Sequence, residues 1–198
     1  MMIILTAAQR PTVSDSRPVI LAFGDSLTAG YGLRAGSGYP ELLQRKLDER
    51  GYKYRIVNMG VSGDTTSGAL VRLKPGLDLK PSIVIVELGA NDGLRGLPVA
   101  QMRSNLEEMI TKFRKGGATV VLAGMTLPRN YGSTYVNSFE GAFRDLARKY
   151  ELPLIPFFLE GVAGNPRLTL QDGLHPNANG YRIVTDTVLK TLEPLLKR

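Results

Sequence analysis

Three side chains of this sequence have the chemistry needed to attack an ester bond. They are the hydroxyl of Ser26, the imidazole of His175 and the carboxylate of Asp172. A serine hydroxyl is a poor nucleophile until a base removes its proton. His175 is the one histidine of the 198 residues, so any imidazole base must be this residue. Asp172 is close enough in sequence for a loop to return its carboxylate to the ring Nδ1–H and stabilise the imidazolium, which predicts a catalytic triad.

Attack on an ester carbonyl produces an oxyanion, and three groups are candidates to stabilise it. They are the backbone N–H groups of Ser26 and Gly60 and the side-chain amide of Asn91. Losing one such donor typically costs about 3 kcal/mol of transition-state stabilisation. Gly60 has no side chain, so a substrate could approach its amide closely.

Each of these residues has a structural interpretation when it is taken alone. Gly-Asp-Ser is a common turn, and Ser26 would also suit the cap of a helix. Gly60 could end a strand, and Asn91 could bond its own backbone in a turn. Asp172 could belong to a turn, and His175 to a surface loop. The catalytic interpretation is favoured because all of these features follow predicted strands, in a workable order.

Short apolar runs alternate with amphipathic segments along the chain, and they would position these residues. Strands are predicted at Pro18–Gly24, Tyr54–Gly60, Ser82–Gly89, Ala118–Gly124 and Leu152–Phe157. Helices are predicted at Pro40–Gly51, Thr65–Leu73, Pro98–Lys115, Tyr135–Tyr150 and Tyr181–Leu195. This alternation predicts an α/β protein, a three-layer α/β/α sandwich with a flavodoxin-like, five-stranded parallel sheet in the order 2-1-3-4-5.

The carboxyl ends of parallel strands share one edge, and ligands bind there at the point where the strand order reverses. In the order 2-1-3, that point lies between the first and third strands. Ser26 would follow the central strand, with Gly60 on one side and Asn91 on the other. The sequence therefore predicts a common crevice for the hydroxyl, the imidazole and the amide donors.

Composition excludes several other kinds of site. The chain has no cysteine, which rules out disulfides, thiolate metal sites and a cysteine nucleophile. A single histidine excludes multi-histidine zinc sites, although an all-carboxylate site stays open. We expect no cofactor and no metal. The net charge is +7, but lysine and arginine are scattered, so we expect a solvated basic surface and no nucleic acid partner.

The length of 198 residues suits one domain, which we place at residues 18–198. Residues 1–17 are predicted to form a poorly ordered N-terminal segment. Its apolar part is too short for a signal peptide, and no basic region precedes it. No apolar run approaches the roughly 20 residues that span a bilayer. We expect a soluble monomer or weak oligomer without integral membrane association, and the compartment is left open.

Four stretches resemble the four sequence blocks of the SGNH hydrolases, also called GDSL lipases/esterases. These stretches are "FGDSLTAGYG", "NMGVSGDTT", "ELGANDGLRG" and "LQDGLHPNANGY". The resemblance implies that Ser26 is the nucleophile, His175 the base and Asp172 the third member of the triad. It assigns the oxyanion hole to Ser26, Gly60 and Asn91.

The same resemblance implies structural roles for Asp25 and Asp64, which would hold the loops of the first two blocks. Two longer stretches, "MTLPRNYGSTYVNSFEGAFRDLA" and "LPLIPFFLEGV", resemble the bacterial thioesterase I/protease I/lysophospholipase L1 group, which includes arylesterases. Members of that group are often exported to the periplasm. In it, the loop after the fourth strand borders the acyl pocket, which here implies the lining residues Met125, Leu127, Pro128 and Tyr131.

The function implied is hydrolysis of carboxylic esters through an acyl-enzyme on Ser26. The substrates would be small esters or lipids: short- or medium-chain acyl esters or aryl esters, with acyl-CoA thioesters and lysophospholipids also possible. A carbohydrate acetylesterase on the same fold stays open as an alternative. A non-catalytic flavodoxin-like module that binds a phosphate-bearing ligand is a further alternative, but "GDSLTAGYG" matches neither glycine-rich phosphate-binding pattern.

Overall fold

The five predicted strands form one parallel sheet in the order β2-β1-β3-β4-β5, which confirms the predicted topology. The computed structural model describes residues 15–198. The central strands β1 and β3 are buried at every position, as expected for strands covered on both faces. The strands are β1 (Val19–Gly24), β2 (Arg55–Gly60), β3 (Ile83–Glu87), β4 (Thr119–Ala123) and β5 (Leu154–Ile155).

The helices pack in two sets that cover the sheet. Helices α2 and α8 contact each other, whereas α6 contacts α3, α4 and α7. Right-handed crossovers put the two sets on opposite faces and complete the α/β/α sandwich. The helices are α1 (Ser26–Ala29), α2 (Tyr39–Glu49), α3 (Thr66–Val71), α4 (Leu73–Asp78), α5 (Ala90–Leu94), α6 (Val99–Lys115), α7 (Ser133–Tyr150) and α8 (Ala178–Leu192).

The predicted helix at Thr65–Leu73 is replaced by the two short helices α3 and α4, which meet at Arg72. A new helix beginning at Leu73 puts Pro75 in its first turn, where the missing N–H of proline would have no intrahelical partner anyway. Strand β5 is shorter than the predicted Leu152–Phe157, because Pro153 and Pro156 flank its two residues and cannot donate to a ladder.

Residues 1–14 of the predicted N-terminal segment lie outside the described residues. In the described part of that segment, the Arg17 guanidinium donates to Asp15 at 2.7 Å and to Asp48 of α2 at 3.5 Å. No helix in the described part of the chain is both long and apolar enough to cross a membrane.

The register of the sheet aligns the segments that would carry the chemistry. Gly24, the last residue of β1, pairs with Gly60 on one side and with Glu87 on the other. The loops after β1, β2 and β3 therefore leave the sheet at the same level, on the edge predicted for the site.

Candidate active site

Ser26, His175 and Asp172 lie in one line of hydrogen bonds. The Ser26 Oγ is 2.9 Å from the His175 Nε2, and the His175 Nδ1 is 2.7 Å from an oxygen of Asp172. The other oxygen of Asp172 accepts the backbone N–H groups of Leu174 at 2.9 Å and of His175 at 3.0 Å. Both carboxylate oxygens are thus occupied, and the loop holds the imidazole with Nε2 facing the serine.

The Asp172 carboxylate is set up to remain ionised. Burial opposes its ionisation, but the backbone N–H groups of His175 and Leu174 and the His175 ring together lower its pKa below the usual range. An ionised carboxylate at Nδ1 fixes the histidine tautomer that leaves Nε2 free to accept a proton.

Helix α1 begins at Ser26 because Asp25 caps it. The Asp25 Oδ1 accepts the Leu27 N–H at 3.0 Å, and Gly30, with φ of 76°, ends the helix after one turn. Ser26 is therefore the first helical residue and not the cap, which corrects the helix-cap interpretation. Its N–H donates to no group in residues 15–198, as expected for a first-turn amide, and is free to bind an anion.

Asn91 bridges the loops that follow β1 and β2. Its Nδ2 donates to the Asp25 Oδ2 at 3.1 Å and to the Asp64 carbonyl at 3.0 Å. Asp25 and Asp64 therefore hold this amide in place. Asn91 also lines the cavity next to Ser26.

Gly60 does not fit the predicted role of oxyanion donor. Its N–H is already occupied, because it donates to the Asn58 Oδ1 at 2.9 Å. A Cβ at this position would lie 2.6 Å from the Thr28 carbonyl carbon and even closer to the Ala29 nitrogen. Glycine is needed here because α1 packs directly on the end of β2.

Gly63 offers an amide that the sequence reasoning missed. It lies in the loop after β2 with φ of 79°, and its N–H has no partner within the described residues. The next residue, Asp64, is the one whose carbonyl accepts the Asn91 amide. The block "NMGVSGDTT" contains two glycines, Gly60 and Gly63, and the sequence reasoning considered only the first as an oxyanion donor.

A cavity of about 510 Å³ opens beside Ser26, His175 and Asn91. Of the four predicted lining residues, Met125, Leu127 and Pro128 contribute to its wall. Tyr131 does not: its hydroxyl donates to the Leu94 carbonyl at 2.8 Å, and its ring stacks on Tyr135. The sequence reasoning missed further apolar wall residues, among them Leu94, Phe157, Leu159 and Leu174.

Arg72 ties together three segments around the site. Its guanidinium donates to the Gly24 carbonyl at 2.7 Å, to the Met59 carbonyl at 2.6 Å and to the Asp64 carboxylate at 2.7 Å. It also lies 4.2 Å above the Phe23 ring. On the other side of the site, the Tyr31 ring packs against His175 with the centroids 4.6 Å apart.

A hydroxyl, an imidazole and a carboxylate in hydrogen-bonding sequence, at the switch point of a doubly wound sheet and beside an apolar cavity, define a serine hydrolase. Residues 22–183 match the GDSL-like Lipase/Acylhydrolase family, and the chain belongs to that family. The resemblance drawn from the four sequence blocks is thereby confirmed, and the chain is an enzyme that hydrolyses carboxylic esters.

Similar proteins agree with this assignment. The chain is 44% identical over 186 residues to esterase TesA of Pseudomonas aeruginosa, covering 93% of this chain and 92% of that protein. It is 38% identical over 178 residues to thioesterase 1/protease 1/lysophospholipase L1 of Escherichia coli, covering 89% and 84%. A crystal structure of TesA superposes with a TM-score of 0.87 at 44% identity and covers 90% of this chain and 99% of its own.

Proposed function

We propose that Ser26, His175 and Asp172 carry out the ester hydrolysis through an acyl-enzyme. The observation that carries this proposal is the unbroken line from Ser26 Oγ to His175 Nε2 at 2.9 Å and from His175 Nδ1 to Asp172 at 2.7 Å. These distances suit proton transfer without rearrangement of the three side chains.

In the first half of the reaction, the Ser26 Oγ forms a bond to the carbonyl carbon while His175 Nε2 takes the serine proton. The tetrahedral intermediate collapses as the bond to the alcohol or thiol breaks, and Nε2 returns the proton to the leaving oxygen or sulfur. A water molecule then loses a proton to Nε2 and attacks the acyl-serine. Ser26 regains its proton, and a carboxylic acid leaves.

We assign the oxyanion hole to the N–H of Ser26, the side-chain amide of Asn91 and the N–H of Gly63 in place of Gly60. The first and last of these amides have no partner within residues 15–198, which favours them as donors. The Asn91 amide bonds the neutral carbonyl of Asp64 in the ligand-free enzyme. A charged oxyanion is the stronger acceptor and would draw this donor away from that carbonyl.

The acyl group of the substrate would occupy the cavity beside Ser26. Its wall is built mainly from leucine, alanine, methionine, proline and phenylalanine residues, which suit an alkyl or aryl chain better than a sugar. A volume of about 510 Å³ has room for a short or medium acyl chain. This lining favours acyl and aryl esters over the carbohydrate acetylesterase alternative, with acyl thioesters and lysophospholipids as further candidates.

A fluorophosphonate reagent tests the assignment directly. The wild-type protein should gain one covalent label on Ser26 and lose its activity on a butyrate aryl ester. Ser26→Ala should be unlabelled and inactive, and His175→Ala should label far more slowly, both with unchanged circular dichroism. A crystal structure of the adduct should put the phosphonyl oxygen within hydrogen-bond distance of Gly63 N. Full activity of a folded Ser26→Ala protein would overturn the proposal.

A further inference from the structure

Two carboxyl groups are buried together directly beneath the turn that presents Ser26. Asp25 and Glu87 are each only 1% exposed. The Glu87 Oε2 accepts the Thr28 hydroxyl at 2.7 Å and lies 3.4 Å from the Asp25 backbone nitrogen. The reaction proposed above gives Glu87 no role, so its place under the nucleophile needs another explanation.

No cation neutralises this pair: in the described part of the chain, neither carboxyl group has an ion-pair partner. Arg72 donates to the carbonyls of Gly24 and Met59, and its ion pair is with Asp64 and not with Asp25 or Glu87. The Tyr39 hydroxyl lies 3.5 Å from the Thr28 hydroxyl, and the Tyr181 hydroxyl donates to the Leu27 carbonyl at 2.9 Å. The titratable and charged groups around the pair are Tyr39 and Glu41 of α2, Tyr181 of α8, Arg72 at the start of α4, and His175.

Ionising both of two adjacent, buried carboxyl groups without a neighbouring cation carries a large free-energy cost. A proton on one of the two groups removes this cost and lets that group donate to the other, since an ionised carboxylate only accepts. We propose that Asp25 and Glu87 share one proton, held by Glu87, and act as one positioning unit for Ser26 and Asn91. Burial, with the neighbouring Asp25 charge, raises the pKa of Glu87 well above its usual range, in agreement with this arrangement.

The shared proton leaves Asp25 as an ionised acceptor for three donors. It accepts the Leu27 N–H, which sets the start of α1 and hence the Ser26 amide, and the Asn91 amide, which faces the cavity. The third donor is the protonated Glu87. Removing that proton would force two negative charges together and disturb both attachments of Asp25, so Glu87 acts through Asp25 and not on the substrate.

Infrared spectroscopy tests the proton without reference to activity. At neutral pH, the wild-type protein should show the C=O stretch of a protonated carboxylic acid, and Glu87→Gln should lack it. Glu108→Gln, which changes an exposed glutamate in the same way, should retain it. Absence of this band from the wild type, or its persistence in a folded Glu87→Gln protein, would overturn the proposal while leaving the roles of Ser26 and His175 intact.

Kinetics test the positioning role, and this arm rests on the proposed function. Glu87→Gln can still donate a hydrogen bond to Asp25 and should keep a kcat close to that of the wild type. It should also lack the loss of kcat that we expect in the wild type when the shared proton dissociates as the pH rises. Glu87→Leu should lower kcat by about 10- to 100-fold with little change in KM, because the oxyanion donors lose their alignment. Equal loss of activity in the folded Glu87→Gln and Glu87→Leu variants would contradict the positioning role. So would a Glu87→Gln protein that loses kcat with rising pH as the wild type does.

Discussion

The Tyr31 ring lies against the His175 imidazole, with the ring centroids 4.6 Å apart and the planes tilted by 42°. Tyr31 is half exposed and is not among the residues that line the acyl cavity. Because this exposed ring touches the catalytic base, we predict that the leaving alcohol or thiol contacts it.

Tyr31→Ala should lower kcat/KM for phenyl esters by about 2- to 12-fold, since an aromatic pair contributes about 0.5–1.5 kcal/mol. The loss should be smaller for ethyl esters of the same acid, which have no ring to stack. Tyr31→Phe is the matched control, because the hydroxyl has no hydrogen-bond partner within residues 15–198. Equal losses on phenyl and ethyl esters would show that the ring supports only His175.

Phe157 lines both the acyl cavity and a second cavity of about 240 Å³, as do Met125 and Thr126, and the second cavity is also lined by Phe143 and Leu154. Phe157→Ala should join the two spaces and favour longer chains. Two further buried CH₂ groups at about 0.8 kcal/mol each would raise the ratio of kcat/KM for laurate over butyrate esters by roughly 10-fold. Phe157→Leu should give a smaller change. An unchanged ratio of kcat/KM in the Phe157→Ala variant would mean that the acyl chain of the substrate binds elsewhere.

Gly24 is required by packing at the end of β1. An added Cβ would lie 2.6 Å from the Glu87 Oε2 and 2.7 Å from the Glu87 carbonyl oxygen. Gly24→Ala should reduce the free energy of unfolding by about 1–3 kcal/mol, measured by urea titration, as expected for an overpacked site. Gly141→Ala in α7, where the Cβ meets open space, should instead stabilise the protein by about 0.5–1 kcal/mol. Equal effects of the two substitutions would contradict this explanation.

The buried acid pair should make stability fall as the pH rises. Asp25 and Glu87 have ordinary pKa values of 3.8 and 4.5, whereas in the folded protein burial raises that of Asp25 to about 6 and that of Glu87 well above its usual range. The folded state therefore binds more protons than the unfolded state above pH 4, and the stabilisation present below that pH is lost as the pH passes the folded values.

Urea titrations from pH 4 upwards measure this slope. Glu87→Gln should show a shallower fall in unfolding free energy than the wild type, because one of the two groups no longer titrates. Glu108→Gln should follow the wild type. A Glu87→Gln slope as steep as that of the wild type would mean that Glu87 is not the group responsible.

The sequence predicted the sheet and its order because the strands are uninterrupted apolar runs whose burial does not depend on detail. The hydrogen-bonded line of Ser26, His175 and Asp172 could also be anticipated, since a single histidine leaves no other imidazole. The hydrogen-bond partners of individual residues could not be predicted from the sequence in the same way. Nothing in the local sequence of Gly60 shows that Asn58 takes its amide, and nothing near Tyr131 shows that its hydroxyl reaches Leu94. Those outcomes depend on how separate loops meet in three dimensions.

Asp172 and His175 lie three positions apart on one loop. Ser26 is 149 positions away from His175, at the start of helix α1 after strand β1. Asp172 holds its own loop together through two backbone N–H groups, so this half of the triad is a local unit docked on the sheet. Undocking that loop would separate the base from the nucleophile without melting any strand. We therefore expect heating to inactivate this enzyme reversibly below the temperature at which the sheet unfolds.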